Sequence, residues 1–306
     1  MPYVTVVGSG NVGANTAFFI AEKGITDVAL YDVRDGLAAG KGLDMMEAAP
    51  IRKYRNRIWP APSLDVVAET ETIILAAGMV RKPGMKREDL FQDNYEIVAQ
   101  LATEIGRKAP QAKVLVATEP VDMITAEFLR LSGLERGQVM GIGGCLDVTR
   151  LRYLVAREHG LSPENIGALA IGRHSHDMII PLRYCSVSGL PIAALLPEEQ
   201  LERIVEETRG AGDLIVTMAQ RASAFYAPSA AVAEVVDAIH MDLRRIICRS
   251  VLLQGEYGIE GVAMSLPVVV GGNGIERVLT PALTADEKKL LERSARQLQS
   301  ILGGKR

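Results

Sequence analysis

Three short stretches carry the side chains able to do chemistry. The first is Gly78-Met79-Val80-Arg81-Lys82-Pro83-Gly84-Met85-Lys86-Arg87, which follows the apolar run Thr72-Ile73-Ile74-Leu75-Ala76-Ala77. The run reads as a buried strand, so the arginines Arg81 and Arg87 project on a loop punctuated by Pro83 and Gly84. A guanidinium presents a planar fork of donors that matches a carboxylate or phosphate. Two forks on one loop suggest a lid that closes over an anion; a solvated basic loop is the plainer alternative. The second stretch is Leu146-Asp147-Val148-Thr149-Arg150. On a helix Asp147 and Arg150 share a face, as a surface ion pair also would. The third is Ile171-Gly172-Arg173-His174-Ser175-His176-Asp177, which holds two of the chain's four histidines. His-x-His invites a metal, but no third ligand stands at a typical spacing, so no metal is expected. One histidine acting as acid/base beside a bound cofactor fits better, and a structural histidine remains the alternative.

Something must hold these residues in place, and the first half of the chain supplies it. Strands are expected at 3–7, 27–31, 72–76, 114–117 and 138–141, with helices at 12–23 and 88–107. Strand and helix alternating at this rhythm mean βαβ units and a parallel sheet. The first strand runs into Gly8-Ser9-Gly10-Asn11-Val12-Gly13 with a helical pattern after it, the context a dinucleotide fingerprint requires. The first glycine permits the tight turn, the second lets backbone approach a pyrophosphate, and the third lets helix and strand pack. The helix N-terminus offers its N–H groups to the phosphates. Asp32 closes the second strand, roughly twenty positions on, where a carboxylate accepts from the adenosine ribose and repels a 2′-phosphate. NAD is therefore expected over NADP, with Arg34 nearby to soften the preference. FAD is the rival, though no second flavin-contacting region is evident.

The second half changes character. Longer helical patterns cover 147–158, 197–224 and 229–255, and antiparallel-looking strands cover 166–171, 182–188 and 261–270. Thr284 with Glu287 three residues on forms a capping box for a final helix. The fold class is α/β: a Rossmann-type doubly wound parallel sheet over residues 1–143, followed by an α+β substrate domain over 144–306, divided within Gly141-Ile142-Gly143-Gly144. The 306 residues are long enough for two domains. A net charge of −3 provides no field for nucleic acid or an anionic membrane. The basic run Arg52-Lys53-Tyr54-Arg55-Asn56-Arg57 reads as a helix end or loop. Cys145, Cys185 and Cys248 show neither metal spacing nor a disulfide framework, which fits a reducing compartment. With the first strand entered at once and no apolar run long enough to span a bilayer, a cytoplasmic location is expected.

Taken in order, the glycine fingerprint, the double-arginine loop, Asn94, Leu146-Asp147-x-x-Arg150 and His174 resemble the lactate/malate dehydrogenase superfamily. Ser223-Ala224-Phe225-Tyr226-Ala227-Pro228 and Gly255-Glu256-Tyr257-Gly258 extend the likeness over essentially the whole chain. The Arg-Lys-Pro-Gly-Met loop looks like malate dehydrogenases of the lactate-dehydrogenase-like type; lactate enzymes typically carry glutamine at the position of Arg81. The N-terminal arm common in vertebrate lactate dehydrogenases has no counterpart. The resemblance implies NAD-dependent interconversion of (S)-malate and oxaloacetate. It assigns Arg150 to the C1 carboxylate, Arg81 to the distal carboxylate and Arg87 to polarising the C2 oxygen. His174 takes the hydroxyl proton, and Asp147 orients it. It places NAD on Gly8, Ser9, Gly10, Asn11, Val12, Gly13 and Asp32, with Asn94, Ala117, Thr118 and Glu119 near nicotinamide and substrate. It also implies a homodimer or homotetramer.

The chain departs from the family at three points. Where the family has Ser-Asn-Pro or Thr-Asn-Pro, this chain has Thr118-Glu119-Pro120. An asparagine amide donates to the substrate oxygen, whereas an ionised glutamate only accepts. Either Glu119 is protonated, or it turns away toward an arginine, or the substrate differs. Ser175-His176 replaces the Gly-Asp after the catalytic histidine, and Arg173 adds a cation. A related 2-oxoacid reductase and a weakened NAD-binding paralogue serving as scaffold or sensor are the alternative readings.

Overall fold

The computed structural model describes residues 3–80, 84–85, 87–220 and 223–303, with the side chains of Arg87 and Glu88 outside the description. The first half is built from β1 (Val4–Val7), α1 (Asn11–Glu22), β2 (Val28–Tyr31), α2 (Leu37–Arg52), β3 (Ile58–Pro60), β4 (Thr72–Leu75), α3 (Phe91–Lys108), β5 (Lys113–Val116), α4 (Val121–Ser132) and β6 (Val139–Gly141). The second half adds α5 (Cys145–His159), β7 (Ile166–Gly167), β8 (Ser186–Val187), β9 (Leu190–Pro191), α6 (Glu198–Ala219), α7 (Tyr226–His240), β10 (Arg245–Gln254), β11 (Glu260–Gly271), β12 (Gly274–Val278) and α8 (Ala285–Gly303).

Valine, isoleucine and leucine fill β1, β4 and β5 because helices cover both faces of the sheet. The strands of the first half pair in parallel in the order β6-β5-β4-β1-β2-β3. The direction of winding reverses between β1 and β4. A crevice opens there at the carboxyl ends of the strands, where doubly wound sheets bind ligands. The expected strands and helices of this half are all present. β3 was not expected: it is three residues long, ends in Pro60 and forms the sheet edge, so it shows little alternation.

Across Gly141-Ile142-Gly143-Gly144 the same sheet continues, since Ser250 of β10 pairs with Gly141 and β11 and β12 follow antiparallel. One apolar core runs from Val4 to Leu298, and a smaller one lies under α5, α6 and the sheet of β7, β8 and β9. The expected helix at 229–255 is corrected: α7 stops at His240, and residues 245–254 are β10. Asp242 and Arg244 both take left-handed φ in the connection and break the helix. β10 is buried on both faces, so its apolar run has no period to separate it from a helix. Likewise α6 ends at Ala219, where Gln220 takes φ +55°, not at 224. The stretch 182–188 divides into a helical turn and β8, and 166–171 forms a strand only at 166–167. At α8 the capping box closes as expected, with Thr284 N–H donating to Glu287 and Glu287 N–H to Thr284 Oγ1.

Candidate active site

At the reversal of the sheet, Gly8 takes φ +101° and lies so close to β4 that a Cβ would sit 2.4 Å from the Ala77 nitrogen. A Cβ on Gly13 would meet the Gly8 carbonyl at 1.9 Å, whereas one on Gly10 would meet nothing within 4 Å. Gly8 and Gly13 therefore set the close packing of strand and helix, and Gly10 leaves the approach over α1 open. No side chain caps α1, so its first N–H groups suit a pyrophosphate. Ser9 is buried and serves the turn, its N–H donating to Asp32 at 2.7 Å. Asn11 is exposed, and Val12 lines the cleft. This arrangement has the open backbone and the helix N-terminus that could hold a dinucleotide.

Asp32 is almost covered, and Arg34 lies over it in the open, its Nε 3.0 Å from Oδ1. Arg34 also donates through its backbone N–H at 3.0 Å and through Nη2 at 3.2 Å. Burial pushes the Asp32 carboxyl up. The hydrogen bonds from Arg34 and Ser9 outweigh it and hold the group below the usual range.

The cleft has about 790 Å³ of empty volume, part of it open to solvent. Gly78, Ala117, Thr118, Glu119, Leu146, Arg150 and His174 line it. Gly212 and Val216 of α6, with Ser223, Ala224 and Pro228, form the opposite wall. Ser229 ties that wall to the glycine turn by donating to the Val12 carbonyl at 2.9 Å.

His174 is buried at the base of the cleft. Its Nδ1 is 2.7 Å from Asp147 Oδ2. Asp147 does three things from the first turn of α5: it orients His174, accepts the Gly144 N–H at 3.3 Å, and lies 3.4 Å from Arg150 Nη1. The helical spacing that puts residues 147 and 150 on one face thus brings a histidine partner and a cation to one cleft. His174 Nε2 points the other way and lies 3.6 Å from Glu119 Oε1. The imidazole stands between two carboxylates. His176 is elsewhere: exposed and 2.7 Å from Asp213 of α6.

Two expected site residues, Asn94 and Thr118, use their polar groups to tie the surrounding loops together, Thr118 while also lining the cleft. Asn94 is wholly buried; its Oδ1 accepts the Met79 N–H at 2.6 Å and its Nδ2 donates to the Glu119 carbonyl at 2.6 Å. It fastens the loop after β4 to the loop after β5. The Thr118 hydroxyl does similar work, donating to the Ala77 carbonyl at 2.7 Å. Arg81 and the Arg87 side chain lie outside the described residues. One contributor was missed. Asp122, in the first turn of α4, accepts the His174 N–H at 2.7 Å and the Ser250 hydroxyl. Burial pushes its carboxyl up to about 6, against those hydrogen bonds. The signal was present in Glu119-Pro120-Val121-Asp122, directly after a strand of the parallel sheet. Among the described residues no cluster of three or more His, Cys, Asp or Glu is placed to hold a metal, and no helix is long and apolar enough to cross a membrane.

The lactate/malate dehydrogenase NAD-binding domain family matches residues 3–141, and the lactate/malate dehydrogenase alpha/beta C-terminal domain family matches 145–304. The chain belongs to the lactate/malate dehydrogenase family. It is an NAD-dependent 2-hydroxyacid dehydrogenase, and the glycine cradle and Asp32 accord with that cofactor. A malate dehydrogenase of Bacillus israeli is 38% identical over 301 residues, covering 98% of this chain and 96% of that protein. The malate dehydrogenase structure from Salinibacter ruber superposes with TM-score 0.92 at 35% identity, covering 98% of this chain and 96% of that one. The Cryptosporidium parvum lactate dehydrogenase, solved with lactic acid and nicotinamide adenine dinucleotide, superposes with TM-score 0.94 at 28% identity, covering 99% and 97%.

Proposed function

We propose that this dehydrogenase interconverts (S)-malate and oxaloacetate. The observation that carries the reading is the buried pair of His174 and Asp147, 2.7 Å apart, opening on a cleft that Arg150 also lines. NAD, when bound, accepts or returns a hydride at its nicotinamide. Arg150 holds the C1 carboxylate by a charge-assisted fork. His174 Nε2 takes the C2 hydroxyl proton during oxidation and gives it back during reduction, and Asp147 stabilises the imidazolium between those events. By the family resemblance, Arg81 is assigned to the distal carboxylate and Arg87 to the C2 oxygen. The names of the relatives and the Arg81 position support a four-carbon diacid over lactate, because a cation facing a methyl group would be left unmatched. The division into 1–143 and 144–306, a cytoplasmic location and a homodimeric or homotetrameric state belong to the same reading.

Glu119 supports a second reading, a related 2-oxoacid reductase or a weakened NAD-binding paralogue, because a carboxylate stands where an amide donor is usual. One assay separates them: NADH oxidation with oxaloacetate, pyruvate and longer 2-oxoacids. Oxaloacetate is expected to be the best substrate, and NADH binding without turnover on any of them would favour the paralogue. Arg81→Gln is expected to weaken oxaloacetate use roughly ten- to a hundredfold, the worth of a charge-assisted contact, while sparing pyruvate. Unchanged discrimination would remove Arg81 from the site.

A further inference from the structure

Glu119 cannot be a passive replacement. Its Oε1 lies 3.6 Å from the histidine nitrogen that faces the cleft, close enough for one substrate oxygen to meet both groups. The carboxylate is aimed: its Oε2 accepts the Val121 N–H at 3.2 Å, and Asn94 holds its backbone carbonyl. A carboxylate only accepts hydrogen bonds, and so does the C2 carbonyl oxygen of a 2-oxoacid. Two acceptors facing each other repel unless one carries a proton.

The groups around Glu119 determine when it carries one. His174 faces it across the cleft, with Asp147 behind the imidazole. Arg150 lines the same cleft. Arg173, His174 and Asp122 border it on the side of α4. Arg150 and Arg173 supply positive charge near the carboxylate. A substrate carboxylate engages Arg150 and adds negative charge, which favours the protonated form.

We propose that Glu119 takes up a proton as substrate binds and donates it as a hydrogen bond to the C2 oxygen, acting as a second, specificity-determining acid beside His174. This rests on the reading of His174 above. In reduction the hydride goes to C2 and the His174 Nε2 proton goes to the C2 oxygen. Glu119 keeps its own proton and returns it to solvent when the product leaves. The net reaction still consumes one NADH and one proton.

The test is a proton count. Oxamate presents a 2-oxoacid's carbonyl but accepts no hydride. Its binding to the NADH complex is followed by calorimetry at mildly alkaline pH in buffers of different ionisation enthalpy. Wild type is expected to take up about one proton more than Glu119→Gln, whose amide is a permanent donor. NADH binding by the variant confirms its fold. In turnover, each required proton costs about tenfold in kcat/KM per pH unit above its pKa. The wild-type reductive arm should therefore fall about tenfold more steeply per unit than that of Glu119→Gln. Equal proton counts in the two proteins would overturn the proposal. A wild type inert toward oxaloacetate would instead defeat the malate reading, and the oxamate count would still decide the role of Glu119.

Discussion

Single residues set the chemistry, and two of them separate roles that sequence proximity blurs. His174 and His176 are two positions apart, yet one is buried against Asp147 and the other is exposed against Asp213. His174→Asn is expected to cut turnover by roughly 10²- to 10⁴-fold, the usual worth of a general acid/base, with NAD binding intact. His176→Asn should change little. His174 must start neutral for oxidation and protonated for reduction, so the two directions should show opposite pH dependences. A larger loss at His176 would mean that the working histidine has been misassigned. At the other end of the cleft, Arg34 already occupies much of the Asp32 carboxylate. Asp32→Ser should weaken the NAD preference by removing repulsion to a 2′-phosphate and by freeing Arg34 to meet it. That shift should shrink in the double variant with Arg34→Ala by the ten- to hundredfold typical of a charge-assisted hydrogen bond, or roughly 1.5–3 kcal/mol. Identical cofactor ratios in the single and double variants would show that Arg34 takes no part.

Elements set the geometry, and the turn between β5 and α4 does most of this. Within a few residues it carries Thr118, tied to the Ala77 carbonyl, Glu119 beside the imidazole, and Asp122 beneath the His174 backbone. Asp122 joins α4 to the histidine loop and to β10 through Ser250. Its folded carboxyl titrates at about 6, above the ordinary value of 3.8. The folded state therefore holds the proton more tightly than the unfolded chain. This contribution favours folding at low pH and is lost as pH rises through the window between those values. Asp122→Asn should remove that falling component from a plot of urea midpoint against pH from about 4 to 6. If the plot keeps its slope there, Asp122 is not the group responsible.

The whole molecule binds the two halves through one sheet and one core, and it carries an oddity at their junction. Arg249 of β10 is the largest fully buried side chain among the described residues. Among the described residues, its Nε, Nη1 and Nη2 make no hydrogen bond. Burial drives its protonation equilibrium down, while neighbouring Cys145 favours the charged form. Burying a charge without a partner costs several kcal/mol. Arg249→Met keeps the length and drops the charge. It is expected to stabilise the fold by on the order of 1–4 kcal/mol, the range seen when buried ionic groups give way to packed hydrophobic ones. A raised denaturation midpoint checks this; a lowered one would show that the guanidinium has a stabilising role.

The sequence by itself determined the first half in some detail. β-branched runs separated by amphipathic helices leave few alternatives to a parallel sheet, and a glycine turn between strand and helix places the dinucleotide end. It also placed Asp147 and Arg150 on one helical face, because that relation is local. Tertiary structure decided whatever depended on partners far along the chain. β10 read as helix because a strand buried on both faces has no alternation, and only its pairing with β11 and β6 makes it a strand. That Asn94 fastens two loops beside the site shows only in the fold, where its amide meets backbone from Met79 and Glu119. Asp122 gained its part only when the histidine loop, 52 positions on, came down over it. Glu119 was visible as a departure from the family. That it stands against the cleft-facing nitrogen of His174 is a fact of distance, which no spacing along the chain encodes.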